Sequence, residues 1–199
     1  MAARKSGMND CPFCRTATQD DASQILAMIQ QRVDAGDPKA IFYLGDAYRF
    51  GKYGLEKDVT RAVELYERAA ELGTKDAHYS LGCMYNKGTD VPKDMARAIR
   101  HWEAAAMCGH VYARCNLGCV EWYTGIKDLA LQHWVVAANL GYQGALNEVK
   151  EMFVGGLSTK VDYAGALRGY QSAVEEMKSP DRDEAVALLG CGTRQDSFS

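Results

Sequence analysis

The sequence lacks any long apolar run, and this absence restricts where the protein can be placed. No stretch approaches the roughly 20 apolar residues that a membrane-spanning helix needs. The opening segment MAARKSGMNDCPFCRT lacks the apolar core of a secretory signal. Seven cysteines, an odd number, do not fit a framework of paired disulfides. We therefore expect a reducing compartment, either the cytoplasm or the nucleus, and no membrane as a partner.

The chain also lacks an excess of basic charge and the short motifs of common catalytic sites. Its net charge of −3 does not favour nucleic acid as a partner. No Gly-x-Ser-x-Gly, phosphate-binding glycine loop or His-Glu-x-x-His motif is present. Two of the four histidines, His101 and His133, directly precede tryptophans, which indicates a half-exposed helix position rather than a catalytic base. We therefore predict that the protein is not an enzyme and needs no cofactor of its own.

What the sequence does contain is a pattern in two parts that recurs along the chain. The first part is Ala-x-x-x-Leu-Gly, and its glycines Gly45, Gly82 and Gly118 lie 37 and 36 residues apart. The second part places an aromatic residue three positions before an alanine. These pairs are Tyr66–Ala69, Trp102–Ala105, Trp134–Ala137 and Tyr170–Ala173. A period of this length predicts a repeat architecture.

Both parts have the period of an α-helix. Ala40, Leu44 and Tyr48 are spaced by four residues and therefore share one helical face. Aspartates precede the second part of each copy, and an aspartate there can accept a hydrogen bond from a free backbone N–H. The predicted helix-starting aspartates are Asp58, Asp94, Asp128 and Asp162. Glycines at the junctions between copies predict helix ends, because glycine adopts left-handed conformations readily. These glycines are Gly73, Gly109 and Gly141.

The small residues predict how the helices pack. Gly45, Gly82 and Gly118 allow the second helix of each hairpin to approach closely, and larger side chains fill the spaces beside them. One hairpin cannot bury its apolar face alone, so neighbours must stack. The prediction is an all-α fold, an α/α superhelical solenoid of stacked helix hairpins, covering residues 20–190. Its clear repeats are 40–73, 77–109 and 113–141, its weak repeat is 145–177, and its capping helices are 20–35 and 181–190. We expect residues 1–19 to be disordered and the tail 191–199 to be flexible.

These residues resemble the Sel-one-like repeat, a relative of the tetratricopeptide repeat. The family pattern is Ala-x-x-x-Leu-Gly-x-x-Tyr, a glycine-rich loop, Asp, and then Ala-x-x-[Trp/Tyr]-x-x-Ala-Ala-x-x-Gly. Residues 40–73 and 77–109 match it almost throughout, whereas Glu121 replaces the tyrosine of the third copy and Val149-Lys150 replaces Leu-Gly in the fourth. The resemblance implies a solenoid that acts as a scaffold or adaptor binding another protein or a peptide. It implies no reaction.

A shorter resemblance concerns the segment CPFCR, which contains Cys11 and Cys14. It is similar to the last Cys-Pro-x-Cys pair of a RING finger, a fold that holds two zinc ions with eight ligands. Tetrahedral structural zinc needs four ligands, so this pair alone cannot complete a site. We expect a free, disordered cysteine pair; the alternatives are a remnant or part of a truncated finger, and the cysteines would be zinc ligands only in a complete finger. The alternative function is therefore the substrate-binding portion of a RING-type ubiquitin ligase.

A cluster of potential metal ligands has two interpretations. Cys108, His110, Cys115 and Cys119 lie close in sequence, and the last two are one helical turn apart. They could bind zinc, but cysteine also packs as a small apolar residue. Cys83 occupies the same repeat position as Cys119 without a nearby histidine, which favours packing.

The repeat register predicts a binding groove on the first helix of each hairpin. Residues two before, two after and five after the repeat leucine should face a concave surface. They are Phe42, Asp46, Arg49, Tyr79, Cys83, Asn86, Cys115, Cys119 and Trp122, followed by Asn147 and Glu151 on the fourth copy. Trp122 and Tyr79 are the preferred contacts, since aromatic residues are enriched at binding hot spots. The alternative is that Phe42, Tyr79 and Trp122 pack between neighbouring helices.

Overall fold

The computed structural model describes residues 19–178, and every regular element in that range is an α-helix. The helices are α1 (Gln19–Asp34), α2 (Pro38–Phe50), α3 (Val59–Glu71), α4 (Lys75–Lys87), α5 (Met95–Met107), α6 (Val111–Thr124), α7 (Lys127–Asn139), α8 (Gln143–Val154) and α9 (Lys160–Met177). The predicted all-α class is therefore confirmed for the described chain. The predicted closing helix 181–190 and the tail 191–199 lie outside the described residues, as does the N-terminal segment up to residue 18. None of the described helices is both long and apolar enough to cross a membrane.

The chain divides into two compact units, with the boundary after Cys108. In the first unit α2 pairs with α3 and α4 with α5, while α1 packs on α2 and α3 packs on α4. In the second unit α6 pairs with α7, and α7, α8 and α9 pack against one another. Each predicted repeat is thus one helix hairpin.

The helix starts follow the predicted aspartates in two of four cases. The side chains of Asp58 and Asp94 accept hydrogen bonds from the backbone N–H three residues later, at 2.9 and 3.0 Å. The prediction is wrong for Asp128, because the shorter loop lets α7 begin at Lys127 and leaves this aspartate inside the first turn. It is also wrong for Asp162, since Thr159 caps α9 and Asp162 bonds back to the Thr159 N–H at 2.9 Å.

The junction glycines end the second helix of each hairpin as predicted. Gly73, Gly109 and Gly141 have φ values of 86°, 75° and 85°, a left-handed conformation that other residues adopt only with strain. Each allows the chain to turn sharply into the next hairpin.

The repeat glycines are the points of closest approach within each hairpin. A Cβ atom on Gly82 would lie 2.5 Å from Cδ1 of Trp102, whose ring is buried against it. The corresponding distances are 2.9 Å from Gly45 to Tyr66 and 2.5 Å from Gly118 to Nε1 of Trp134. The aromatic ring of the second helix therefore fills the space that the absent side chain leaves, which confirms the packing predicted for these three glycines.

Alanines and a few large side chains form the core of each unit. In the first unit Ile41, Tyr66 and Leu81 have no exposed surface. In the second unit Trp134 and Val149 lie among buried alanines of α7 and α8 and Ala166 of α9. Because alanine adds little bulk, neighbouring helices can lie close together, and an aromatic ring packs against the repeat glycine of each of the first three hairpins.

Candidate functional site

Two predicted groove residues on α2 are held in place by Tyr66 of α3. The ring of Phe42 packs against the ring of Tyr66 with centroids 5.5 Å apart. The hydroxyl of Tyr66 donates a hydrogen bond to Asp46 at 2.5 Å. Burial, and then the hydrogen bond to this carboxylate, raise the pKa of the Tyr66 phenol above its usual range. Phe42 and Asp46 are both half-buried and face neither bulk solvent nor the deepest core.

The third groove residue on α2, Arg49, belongs to an ion-pair network. Its Nε lies 3.3 Å from Asp90 on the loop after α4, and the ammonium of Lys57 lies 3.0 Å from the same carboxylate. Hydrogen bonds from Lys57 and then from Arg49 lower the pKa of Asp90. The side chains of Arg49 and Asp90 are only 13% and 16% exposed, so this pair is better shielded from solvent than an ordinary surface pair. The network fixes the C-terminal end of α2 against the following hairpin.

The predicted residues on α4 are half-buried. Tyr79, Cys83 and Asn86 lie on this helix, which packs between α3 and α5. Nothing in the structure tests whether a partner binds there, so the groove assignment stays a prediction.

The predicted residues of the second unit have two different environments. The ring of Trp122 packs at 5.8 Å from that of Trp134, and the Lys127 ammonium lies 4.9 Å from its centre. Trp122 therefore contributes to the core of this unit, as the packing alternative supposed. Asn147 and Glu151 on α8 are exposed, and the amide of Asn147 accepts a hydrogen bond only within its own helix, from Gln143 at 3.0 Å.

Three of the potential metal ligands on or next to α6 take part in helix capping or core packing. Nδ1 of His110 accepts a hydrogen bond from the Ala113 N–H at 3.1 Å and caps α6. Cys115 and Cys119 contact each other on α6 and pack against the core of the second unit. Their hydrogen bond raises the pKa of Cys115 and lowers that of Cys119. Within residues 19–178, no three histidine, cysteine or acidic side chains converge closely enough to hold a metal ion. Cys11 and Cys14 lie outside the described residues, so the RING resemblance remains a prediction.

A pair of histidines in the first unit forms a cluster that the sequence analysis missed. Nδ1 of His78 on α4 lies 3.1 Å from Nδ1 of His101 on α5, a hydrogen-bonding distance. The ring of Tyr85 is stacked on that of His101, 5.8 Å away and 7° from parallel. Nη1 of Arg97 donates a hydrogen bond to the Tyr85 hydroxyl at 3.3 Å.

The histidine pair borders an open pocket of about 460 Å³, which we call the His-pair pocket. Its lining residues are Glu67, His78, Tyr85, Arg97, Arg100 and His101. Burial lowers the pKa of both histidines below 6.5, and for His101 the positive charges of its surroundings add to this effect. At neutral pH the two rings are therefore uncharged, and one donates its Nδ1–H to the other.

Acid should destabilise the first unit through this pair. The unfolded chain takes up protons near pH 6.5, whereas folded His78 and His101 do so only at lower pH. Their contribution to the free energy of unfolding is complete above pH 6.5 and is lost as the pH falls through the lower folded values. Urea denaturation over a pH series should show this loss. The double variant His78→Ile and His101→Leu should show a flatter profile, and an unchanged profile would refute the assignment. Asp90 does not confuse the result, because its pKa lies below 3.8.

Comparisons with known proteins place the fold among helical repeats. The family model for the Sel1 repeat matches residues 38–74 and 75–110. A Sel1 repeat protein of Oxalobacter formigenes is 31% identical, with a TM-score of 0.58 over 64% of this chain and 98% of that one. A protective antigen of uropathogenic Escherichia coli with an SLR fold is 30% identical, with a TM-score of 0.64 over 83% of this chain and 36% of that one.

A sequence relative covers a smaller part of the chain. Chitin synthase regulatory factor 1 of Schizosaccharomyces pombe is 32% identical over 76 residues, which are 38% of this chain and 17% of that protein. The match to the bacterial repeat protein extends over nearly its whole length, and the two matched segments coincide with the α2–α3 and α4–α5 hairpins. The chain belongs to the Sel1 repeat family.

Proposed function

We propose that this protein is a non-enzymatic scaffold or adaptor that binds a peptide or protein on the exposed faces of its first-position helices. Sel1 repeat proteins are protein-interaction scaffolds and are generally non-catalytic. The finer part of the proposal concerns where the partner binds. In the first unit this face includes α2 and α4, and in the second unit it includes α8.

The observation that supports the proposal most directly is the anchoring of polar side chains on α2. Asp46 is bonded to Tyr66, and Arg49 is paired with Asp90, so both are oriented before any partner arrives. A side chain that is already ordered loses less conformational entropy on binding. Half-buried Tyr79 on the neighbouring repeat helix offers an aromatic contact of the kind enriched at hot spots.

The relatives support a scaffold without assigning a partner. The fission-yeast relative is named as a regulatory factor of chitin synthase. This chain spans only 17% of that protein's length, so the likeness does not extend to its activity. We therefore propose a protein partner of unspecified identity.

The groove proposal can be tested at two half-buried residues of α4, Tyr79 and Asn86. A partner identified by affinity capture and mass spectrometry would be titrated against the double variant Tyr79→Ala and Asn86→Ala. We expect affinity to fall by about tenfold or more if Tyr79 is a hot spot. Trp122 is unsuitable as a test residue because its ring packs on Trp134.

A matched control is Tyr123→Ala, which removes an aromatic ring that is 87% exposed and lies outside the predicted positions. This variant should bind as the natural sequence does. Circular dichroism would establish that each variant remains folded. If the Tyr79 and Asn86 variant is folded and binds with unchanged affinity, the α4 face is not the binding surface.

A further inference from the structure

The His-pair pocket differs chemically from the equivalent place in the first hairpin. In the repeat register, His78 corresponds to Ile41 and His101 corresponds to Leu65. Ile41 is fully buried, so the first hairpin fills this position with apolar packing. The fold therefore does not require histidine there, and the second hairpin has two polar groups where an apolar pair would serve.

A neighbouring position on the second helix also differs between the two hairpins, in the sign of its charge. Arg100 of α5 corresponds to Glu64 of α3, so the second hairpin has a positive charge where the first has a negative one. The arginine–tyrosine contact, in contrast, is common to both. The Arg61 guanidinium lies 4.4 Å from the Tyr48 ring centre in the first hairpin, and that of Arg97 lies 5.4 Å from the Tyr85 ring centre in the second.

The hydrogen bond within the histidine pair determines how the pair can be charged. When both rings are neutral, one Nδ1–H donates to the other Nδ1, leaving one Nε2 as a donor and the other as an acceptor. One added proton on the accepting Nε2 keeps the Nδ1–H···Nδ1 bond and gives the pair two Nε2–H donors and one positive charge. The pair can thus become an anion-binding group without a rearrangement of the helices.

We propose that the His-pair pocket binds a phosphate monoester, such as a phosphorylated serine side chain of a peptide, with uptake of one proton by the histidine pair. The inference rests on the proposed scaffold function, since it names a chemical feature of the partner. The volume of the His-pair pocket, about 460 Å³, exceeds that of a single ion and lies in the range of small-ligand pockets. Arg97 contacts Asp94 through Nε and Tyr85 through Nη1, and Arg100 bonds to the Ala96 carbonyl through Nε. The other N–H groups of the two planar guanidinium groups are the donors that match phosphate oxygens.

The charges around the pocket explain why the proton is needed. Glu67 on α3 lines the pocket together with both arginines, and Glu71 on the same helix lines an adjoining pocket that shares Glu67 and the two histidines. Asp94 also pairs with Arg97, its Oδ2 lying 3.4 Å from Nε. The three carboxylates outnumber Arg97 and Arg100, so the neutral histidine pair leaves no net positive charge. The phenol of Tyr85 is engaged by Arg97. A proton on the histidine pair offsets the excess negative charge, and a phosphate dianion favours uptake of that proton because a nearby opposite charge stabilises the charged form.

The direct test is calorimetric titration of the full chain with acetyl-Ala-phosphoserine-Ala-amide. We expect saturable binding, and at pH 7 a fractional proton uptake that is measured by repeating the titration in buffers of different ionisation enthalpy. Affinity should be highest near about pH 6, where a protonated pair and a phosphate dianion coexist. The same peptide with glutamate in place of phosphoserine should bind at least about tenfold more weakly, because its carboxylate has fewer acceptor sites and less charge.

Variants that copy the first hairpin provide the controls. Arg100→Glu, and separately His78→Ile with His101→Leu, should weaken phosphopeptide binding by about tenfold or more. The histidine variant should also abolish the proton uptake. These changes install residues that the first hairpin already accommodates. Arg61→Gln alters the equivalent of Arg97 outside the pocket and should leave binding unchanged.

Several results would overturn the proposal. They are the absence of saturable phosphopeptide binding, equal binding of the glutamate peptide, or unchanged binding by both pocket variants. Tighter binding of inorganic phosphate than of the phosphopeptide would assign the pocket to the free ion instead and would reject a peptide ligand. If the chain does not bind the phosphopeptide but the Tyr79 and Asn86 variant still loses affinity for its partner, the phosphate inference alone is rejected. The reverse outcome would reject the α4 binding surface alone.

Discussion

Replacing Gly82 by alanine should lower the free energy of unfolding of the first unit by about 1–3 kcal/mol. The substitution favours the helix by about 1 kcal/mol in isolation, so the expected loss comes entirely from packing. The new Cβ would lie 2.5 Å from Cδ1 and Nε1 of Trp102 and 3.1 Å from the carbonyl oxygen of Ala98. Trp102 is only 2% exposed, so its ring is enclosed by other parts of the protein.

The control for this prediction is Gly165→Ala in α9, where an added Cβ meets no atom within 4 Å. That change should raise stability by about 0.5–1 kcal/mol through backbone entropy alone. Urea denaturation followed by circular dichroism would compare the two variants. Adding Trp102→Leu to Gly82→Ala should recover part of the loss, because the smaller side chain leaves room for the methyl group and the two changes do not add. Equal stability of the two glycine variants would mean that Gly82 is not a contact point.

Trp134→Ala should have the largest effect on the second unit, a loss of about 3–5 kcal/mol in the free energy of unfolding. The ring is 2% exposed, packs against Gly118 and Trp122, and donates its Nε1–H to the Cys115 carbonyl at 3.3 Å. Removing it would leave a cavity between α6 and α7 and would remove this hydrogen bond. A loss of this size approaches the whole stability of a marginal domain.

Hydrogen exchange measured by mass spectrometry is the appropriate readout for Trp134→Ala, because repeat proteins can unfold locally. Amides of α6 and α7 should lose protection, and those of α2 and α3 in the first unit should keep it. The control Tyr123→Ala removes an aromatic ring of α6 that is 87% exposed, and it should leave protection unchanged. Full protection in Trp134→Ala would show that the ring does not hold this hairpin together.

The packing of the hairpins could be predicted from the sequence because it depends on residues at fixed intervals. Gly45, Gly82 and Gly118 each face an aromatic ring, as their spacing indicated. The helix end at Gly73 could also be predicted from the sequence, because it depends on the backbone conformation of one residue. The start of α7 could not be predicted in this way, because one short loop moved the N-cap from Asp128 to Ile126. For α9 the Thr159-x-x-Asp162 spacing was the available signal of a capping box, and the aspartate alone was misleading.

The candidate sites were harder to predict because they join residues far apart in the chain. The contact between His78 and His101 spans 23 residues, and that between Arg49 and Asp90 spans 41. Each depends on the relative rotation of two helices, which local periodicity does not determine. The signal that could have revealed the histidine pair was a comparison of equivalent repeat positions, where Ile41 and Leu65 are apolar.

The contact between a glycine and an aromatic ring leaves most of each hairpin free to vary. A few small and aromatic positions define the backbone, whereas the positions of His78, Arg100 and His101 differ between hairpins that share the same helix pairing. The side chains that contact a ligand can therefore be exchanged while the helix packing stays the same. Placing histidines at Ile41 and Leu65 and arginine at Glu64 would transfer the pocket by one repeat, which makes this chain a template for modular engineering.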